Sequence, residues 1–147
     1  MKKVLCVDDD PSLLQLYQED LSEEGYEVIL AKGGREGLLK FEEECPDVVT
    51  MDIRMPGMDG IHAMTALMGK DRGTQIILNS AYPLYRQNFM TWGAASFVTK
   101  SSDLSELKQR IREALKNKEN RQNHGTKNNR DLSKEGRLKK KKDYWRD

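Results

Sequence analysis

The chain has 147 residues, a formal net charge of +1 and 37% hydrophobic residues. This length fits one domain of ordinary size plus a tail, so we expect no second folded domain. No apolar run is long enough to cross a bilayer and the start lacks a signal-peptide pattern, which predicts a soluble, cytoplasmic protein without membrane contact.

Strands and helices are predicted to alternate along the first 116 residues. Asp10 as N-cap and Pro11 at the first helical position predict a helix that ends at Gly25. A second helix is expected to stop before Pro46, because proline disfavours a helical residue before it and lacks an amide hydrogen. Three further helices are expected, from about Met58 to Met68, from Leu84 to Trp92 and from Leu104 to Leu115.

The apolar runs between these helices are continuous rather than alternating, as expected for strands buried on both faces of a parallel sheet. Five strand and helix units joined by right-handed crossovers give an open, doubly wound α/β sheet with helices on both faces. Ligand sites in such folds lie beyond the carboxyl ends of the strands. The predicted strands are Val4–Val7, Val28–Leu30, Val48–Met51, Ile76–Leu78 and Phe97–Val98.

Charge is unevenly distributed along the chain. Residues 1–116 carry 14 Lys and Arg against 19 Asp and Glu, whereas residues 117–147 carry 11 against 5. The second segment also has too few large apolar residues to offset the entropy of ordering. We interpret residues 1–116 as an acidic folded domain and residues 117–147 as a basic, disordered tail.

Polar residues follow four of the predicted strands, at points that meet at one edge of a parallel sheet. Carboxylates crowded there repel one another unless a cation neutralises them, and Mg2+ suits such a site because it prefers oxygen ligands and retains several waters. One Asp would remain as a nucleophile, while a hydroxyl and an ammonium group hold a transferred phosphoryl group. The residues are Asp8, Asp9 and Asp10 after the first strand, Asp52 after the third, Ser80 after the fourth and Lys100 after the fifth.

The motifs that contain these residues resemble the receiver domain of bacterial response regulators. They are VDDD at 7–10, MDIRMPGMDG at 51–60, NSA at 79–81 and FVTK at 97–100. The resemblance covers residues 2 to about 116. It implies a flavodoxin-like sheet of strand order 2-1-3-4-5 flanked by five helices, and a single receiver of the chemotaxis-regulator type that is a switch rather than an enzyme.

The same resemblance implies how the phosphoryl group and the metal are bound. Asp52 would accept the phosphoryl group from the phosphohistidine of a sensor histidine kinase or a phosphotransfer protein. Asp9 and Asp52 would bind Mg2+ directly, and Asp8 would hold it through water. Arg54 would add its backbone carbonyl.

The resemblance also implies a switch that links the phosphoryl group to a distant surface. Ser80 would supply the hydroxyl that moves toward the phosphoryl group, and Lys100 would form an ion pair with the phosphoryl group. Phe97 would be the coupled aromatic residue. Phosphorylation would then change binding to an unidentified downstream protein.

Two features depart from the family's common pattern. Ser101 stands where proline usually follows the lysine, and because a non-proline cis bond costs about 3 kcal/mol, we expect a trans Lys100–Ser101 bond. Arg54 and Tyr82 are bulky groups two residues beyond Asp52 and Ser80. They predict shielding of the aspartyl phosphate from water, and therefore slow self-dephosphorylation.

Two alternative functions stay open at this point. A Mg2+-dependent phosphohydrolase also uses an aspartyl nucleophile on a doubly wound sheet, but it would need a second acid at position 54, which is Arg. A receiver scaffold could instead bind nucleic acid or an acidic partner through its tail, where Lys139–Lys142 precede Tyr144 and Trp145. No nucleic-acid reading motif accompanies those residues.

The cysteines and histidines predict no zinc site. Cys6 and Cys45 lack the spacing of a metal-binding pair, and the chain has only His62 and His124 besides them. Such a set is too small for a site built on cysteine and histidine. Both thiols are predicted to be buried and reduced, and His62 is given no role.

Overall fold

The computed structural model describes residues 1–71, 73–82, 88 and 93–128, with the backbone alone for 121–128. Its elements alternate as predicted: β1 (Lys3–Val7), α1 (Pro11–Glu23), β2 (Glu27–Ala31), α2 (Gly34–Glu44), β3 (Val48–Met51), α3 (Gly60–Lys70), β4 (Gln75–Ser80), β5 (Ser96–Thr99) and α4 (Ser105–Asn128). The helix predicted over 84–92 lies outside the described residues, apart from residue 88. The last predicted helix is therefore α4.

The five strands form one parallel sheet in the order β2-β1-β3-β4-β5. This is the doubly wound, flavodoxin-like topology that the sequence predicts. The strand order reverses between β1 and β3, where Val7 pairs with Met51. The carboxyl ends of these two strands therefore lie side by side at the topological switch point, where such folds bind their ligands.

The sheet is buried on both faces, as the continuous apolar runs predict. All four residues of β3 are buried, and alternate residues of β1 belong to different core clusters. Leu5 and Val7 pack with α2 and α3 residues on one face. Val4 and Cys6 pack with α1 and α4 residues on the other face.

Two helices, α1 and α3, begin near the sheet's carboxyl edge with a side-chain cap. Asp10 caps α1, because its Oδ1 accepts a hydrogen bond from the Ser12 amide at 2.9 Å, and Pro11 follows as predicted. Asp59 caps α3 by accepting from the His62 amide at 2.9 Å. The helix α3 therefore begins at Gly60, two residues later than the sequence predicts.

The prediction that both cysteines are buried is right for Cys6 and wrong for Cys45. Cys6 lies in β1 and is fully buried, whereas Cys45 is exposed. Cys45 is the C-cap of α2 and has a left-handed backbone with φ of 48°. This turn ends the helix before Pro46 and leaves the thiol at the surface, where its Sγ lies 3.9 Å from the Glu42 carbonyl oxygen.

The predicted boundary near Lys116 falls inside a helix. Helix α4 continues to Asn128, so residues 117–128 are helical. Lys118 Nζ lies 3.1 Å from Asp47 Oδ1, and Lys2 Nζ lies 3.6 Å from Glu119 Oε1. The division into a receiver body and a tail remains a prediction, and residues 129–147 lie outside the described residues.

Membrane crossing requires a long, apolar helix, and none of the helices described for this chain has that combination of length and hydropathy.

Candidate functional site

Three carboxylates meet where β1 and β3 end. The amide of Asp8 donates to the Ala31 carbonyl at 3.1 Å, and the amide of Asp52 donates to the Val7 carbonyl at 2.9 Å. These backbone bonds continue the parallel pairing by one residue, so Asp8 and Asp52 are held next to each other. One carboxylate oxygen from each of Asp8, Asp9 and Asp52 lies within 4.8 Å of the others. Asp8 and Asp52 are buried, while Asp9 is exposed.

Lys100 brings an ammonium group into this cluster. Its Nζ lies 2.8 Å from Asp8 Oδ2 and 3.1 Å from Asp52 Oδ2. Its amide donates to the Ser80 carbonyl at 2.8 Å, which extends the pairing of β4 and β5 and fixes the base of the side chain. No cis peptide bond occurs within the described residues, so the Lys100–Ser101 bond is trans, as expected.

Asp8 has both carboxylate oxygens engaged within the chain. Oδ1 accepts from the Asp10 amide at 2.9 Å, and Oδ2 pairs with Lys100. Asp10 itself caps α1 through its side chain. The three consecutive acids therefore differ in their surroundings: Asp8 is held by the protein, Asp9 is exposed beside it, and Asp10 is a helix cap.

The electrostatics of the cluster leave it short of positive charge. Burial raises the pKa of Asp52, and the negative charges of Asp8 and Asp9 raise it further. The positive charge of Lys100 lowers it, but the pKa stays above its ordinary value. Burial alone would lower the pKa of Lys100, but its contacts with Asp8 and Asp52 outweigh burial and raise it. Three carboxylates and one ammonium group leave a formal charge of −2.

This donor set fits Mg2+. The oxygens of Asp8, Asp9 and Asp52 are hard ligands, they come from two adjacent strand ends, and a dication would balance their excess charge. Only one of the three, Asp9, is exposed, so a bound ion would lie between a solvent-facing ligand and the buried Asp52. Mg2+ retains several waters in proteins, which suits such a half-open site.

Ser80 and Phe97 lie in the strands beside the cluster. Ser80 is the last residue of β4 and is fully buried, and its Oγ accepts from the Tyr82 amide at 3.1 Å. Phe97 in β5 pairs in register with Leu78 and is buried in the core cluster on the α2 and α3 face. The structure thus places Ser80 beside Lys100 and Phe97 within the core, while their roles in switching remain predictions.

Arg54 and Tyr82 contact each other at the surface beyond these strand ends. The Arg54 guanidinium carbon lies 4.8 Å from the centre of the Tyr82 ring, within the range of a cation–π contact. Arg54 is exposed, and Tyr82 is 46% exposed. The two residues that sequence analysis interpreted as a shield are therefore in contact across the ends of β3 and β4.

Gly60 supports the backbone of the Asp52 loop. Its amide donates to the Ile53 carbonyl at 2.7 Å. A Cβ at position 60 would lie 1.9 Å from the Asp52 carbonyl oxygen, far inside van der Waals contact. The start of α3 therefore packs directly against the residue that carries the central carboxylate.

One buried polar pair near the site was missed by sequence reasoning. Asn79 Nδ2 donates to the Tyr17 hydroxyl oxygen at 2.8 Å, and both side chains are buried. The available signal was an asparagine inside an otherwise apolar strand, which must find a hydrogen-bond partner when buried.

Comparison with known proteins gives the same family as the motifs. Residues 4–112 match the family model of the response regulator receiver domain. The chain is 32% identical over 120 residues to the alkaline phosphatase synthesis transcriptional regulatory protein PhoP of Bacillus subtilis, covering 80% of this chain and 50% of PhoP. It spans between a quarter and half of the length of the curated relatives it matches.

Solved structures of one regulator are also similar to this chain. The response regulator protein TrrA of Thermotoga maritima, solved in complex with Mg2+-BeF, is 40% identical with a TM-score of 0.74 and is matched over 78% of this chain and 100% of TrrA. TrrA in complex with the histidine kinase ThkA gives a TM-score of 0.72 at 40% identity, over 78% of this chain and 99% of TrrA. With the family model matched over most of its length, this chain belongs to the response regulator receiver domain family.

Proposed function

We propose that this protein is a Mg2+-dependent switch in which Asp52 accepts a phosphoryl group from the phosphohistidine of a histidine kinase or phosphotransfer protein. The observation that carries the proposal is the buried Asp52 carboxylate held between the Lys100 ammonium and the carboxylates of Asp8 and Asp9. The solved complexes of TrrA with Mg2+-BeF and with a histidine kinase support it.

The proposed metal ligands are those that the resemblance to receiver domains implies, and the contacts of Asp8 agree with its part in them. Asp9 and Asp52 bind Mg2+ directly, together with the backbone carbonyl of Arg54. Asp8 holds the ion through water, because both of its oxygens are already engaged by the Asp10 amide and by Lys100. When bound, Mg2+ supplies the positive charge that lets a carboxylate and a phosphoryl group approach each other.

The transfer step needs a nucleophile and a counter-charge from the chain. An Asp52 oxygen forms the bond to phosphorus while the bond from phosphorus to the donor's imidazole nitrogen breaks. Lys100 already lies 3.1 Å from Asp52, so its ammonium can hold a phosphoryl oxygen with little movement. The protein assists its own modification and is not an enzyme for a separate substrate.

The switch step involves Ser80 and Phe97. In the unphosphorylated arrangement the Ser80 hydroxyl oxygen accepts from the Tyr82 amide. When the hydroxyl moves toward a phosphoryl oxygen to donate to it, its oxygen leaves the Tyr82 amide and the turn after β4 is released from this bond. Phe97, buried in the strand next to β4, is the proposed coupled residue. The output is altered binding to another protein.

A direct test uses a small phosphodonor. Incubation with acetyl phosphate and Mg2+, followed by intact-mass measurement, should add one phosphoryl group to the wild-type chain and none to Asp52→Asn. Chelating the metal should prevent the addition. Equal uptake by the two proteins would overturn the assignment of Asp52. Steady release of phosphate from small phosphoesters would instead favour the phosphohydrolase alternative.

The contact between Arg54 and Tyr82 leads to a proposal about the lifetime of the phosphorylated state. Two bulky groups in contact beyond the strand ends hinder a water molecule from reaching the aspartyl phosphate. Replacing both, with Arg54→Asn and Tyr82→Glu, should shorten the lifetime about tenfold, equivalent to about 1.4 kcal/mol of barrier. Phosphate release from the purified phosphoprotein measures this, and an unchanged lifetime would refute shielding.

Two further expectations stay predictions. The basic segment of the alternative function, binding to nucleic acid or an acidic partner, falls within residues 129–147, outside the described part of the chain. The cytoplasmic location expected from the sequence is likewise part of the proposal.

A further inference from the structure

The hydrogen bond between Tyr17 and Asn79 connects the two segments that carry the proposed chemistry. Tyr17 lies in α1, which begins directly after Asp9 and Asp10. Asn79 is the residue before Ser80 in β4. Burial raises the pKa of the Tyr17 hydroxyl, and the negative charge of Asp8 adds to this, so the hydroxyl is close to the acid cluster. The bond therefore joins helix α1 to the end of β4 beside the site.

The end of β4 has fewer backbone partners than its middle. The pairing of β4 with β3 runs from Gln75 to Leu78, whereas its pairing with β5 runs from Ile77 to Ser80. Asn79 and Ser80 therefore extend past the described register with β3 and are paired on the β5 side. The side-chain bond from Asn79 to Tyr17 gives this strand end a second anchor, from the helix layer.

Packing alone does not account for this pair. The surrounding positions on the same face are largely apolar, and include Val4, Val48, Ile77 and Val98. An apolar residue at 79 facing a phenylalanine at 17 would fill similar space without a buried amide that requires a partner. A buried polar pair of this kind fixes a particular arrangement of the elements it joins, since each group is satisfied only in that arrangement.

We infer that Tyr17 is a positioning residue for phosphorylation: through Asn79 it fixes the end of β4, so that the Ser80 hydroxyl lies at a set distance from Asp52. The inference rests on the proposed function, because it concerns the same reaction. Tyr17 touches neither the phosphoryl group nor the metal ligands in this scheme. Its effect reaches the site only through Asn79 and the backbone of Ser80.

The test is a double-mutant cycle with Tyr17→Phe and Asn79→Leu. At saturating Mg2+, each single variant should be phosphorylated by acetyl phosphate about tenfold more slowly. A change of this size in the activation free energy is comparable to the net contribution of one hydrogen bond. The double variant should be no slower than either single variant, because both changes break the same connection. Mg2+ affinity, measured by calorimetry, should change less than twofold in all three.

The double variant separates positioning from stability. It leaves neither group buried without a partner, so it should unfold at a urea concentration closer to that of the wild type than either single variant does. A purely structural role would then predict a wild-type phosphorylation rate for this well-folded protein. Tyr26→Phe removes a phenol at the opposite edge of the sheet, before β2, and should leave the rate unchanged.

The outcomes are distinct. If the wild type is phosphorylated and the double variant matches its rate, the positioning role of Tyr17 is overturned while the proposed function stands. If Mg2+ affinity falls in parallel with the rate, the pair acts on the metal ligands and the inference is also overturned. If the wild type takes up no phosphoryl group, the proposed function fails and the inference fails with it.

Discussion

At the scale of single residues, the site is built from groups whose charges are incompletely balanced. Asp52 is buried beside two other carboxylates, and within the described part of the chain Lys100 is the cation that offsets their repulsion. Such an arrangement costs stability in the metal-free protein and favours the binding of a cation or the loss of a charge. The same imbalance that suits the proposed chemistry should therefore be visible in the pH dependence of folding.

We predict that Asp52→Asn stabilises the metal-free protein at neutral pH. The pKa of Asp52 in the folded chain is raised above its ordinary value of 3.8. A raised folded pKa contributes stability that is present below the unfolded pKa and is lost as pH rises through the folded pKa. Removing the ionisable group should therefore raise the thermal midpoint at pH 7 and give no gain below about pH 3.8.

Thermal unfolding in the presence of a chelator measures this prediction. Lys100 keeps Asp8 as a partner in the variant, so its own burial remains compensated. Saturating Mg2+ should reverse the order of the two proteins, because the wild type gains more from binding. If the variant is less stable than the wild type at pH 7 without metal, the attraction between Asp52 and Lys100 outweighs the repulsion of Asp52 by Asp8 and Asp9.

Gly60 gives a second prediction at this scale, because no larger residue fits between α3 and Asp52. Gly60→Ala would force a Cβ to within 1.9 Å of the Asp52 carbonyl oxygen unless the backbone shifts. We expect the free energy of unfolding to fall by about 2 to 3 kcal/mol, as for other overpacked sites. Urea unfolding measures the loss of stability. A displaced Asp52 loop would appear as a lower Mg2+ affinity in calorimetry.

Gly69 is the matched control for Gly60, because it lies in the same helix and is exposed. A Cβ at position 69 would meet nothing within 4 Å. Gly69→Ala should therefore raise the free energy of unfolding by up to about 1 kcal/mol, through better helix propensity. Equal effects of the two substitutions would contradict the close approach of Gly60 to Asp52.

At the scale of elements, local signals in the sequence account for most of the fold. Capping by Asp10, proline at position 11 and the continuous apolar strands act within a few residues of where they occur, and these predictions are confirmed. The start of α3 was predicted two residues early, at Met58, because the cap that sets it, Asp59, was not recognised. The boundaries depended on such caps, while the order of elements did not.

Features that depend on distant contacts could not be predicted in the same way. The pairing of Tyr17 with Asn79 joins residues 62 positions apart, and no local pattern specifies it. The exposure of Cys45 follows from the direction in which the chain leaves α2. The acid cluster could be predicted only because the carboxyl ends of parallel strands lie at one edge of the sheet. Residues that directly follow neighbouring strands are therefore close in space.

The three consecutive acids before α1 give a prediction that separates a helix cap from a metal ligand. Asp10→Ala removes the acceptor for the Ser12 amide and should cost about 1 kcal/mol of stability while Mg2+ affinity changes little. Asp9→Ala should do the reverse, with Mg2+ affinity lowered at least about tenfold and stability nearly unchanged. Urea unfolding and calorimetry measure the two quantities.

Asp10→Asn is the control for the cap, because asparagine accepts the same hydrogen bond without the charge. It should keep the stability of the wild type. Loss of Mg2+ binding in Asp10→Ala or Asp10→Asn would show that Asp10, and not only Asp9, belongs to the metal site.

At the scale of the whole molecule, the folded unit extends beyond the family match at residues 4–112. The middle of α4 reaches the amino-terminal edge of the sheet, where Asp47 accepts from the Lys3 amide at 2.8 Å and pairs with Lys118 at 3.1 Å. Asp47 is thus shared by β1, the loop before β3 and the extension of α4. This arrangement ties the segment that sequence analysis assigned to the tail onto the body of the domain.

We therefore predict that a chain ending at residue 128 keeps the stability of the full chain, whereas one ending at residue 116 loses about 1 kcal/mol, the scale of a partly exposed ion pair. Burial raises the pKa of Asp47, but the Lys3 amide and Lys118 outweigh it and hold the pKa below its ordinary value. A lowered folded pKa contributes stability that is present above the unfolded pKa and is lost as pH falls through the folded pKa.

Urea unfolding of the two shortened chains should consequently differ at pH 7 and converge in acid, below the ordinary Asp value of 3.8. Lys118→Ala in the full chain should reproduce most of the difference, since it removes the same contact with Asp47 without removing residues 129–147. If the chain ending at 116 is as stable as the full chain at pH 7, the extension of α4 adds nothing to the receiver body, and the boundary predicted from charge and apolar content is the correct one.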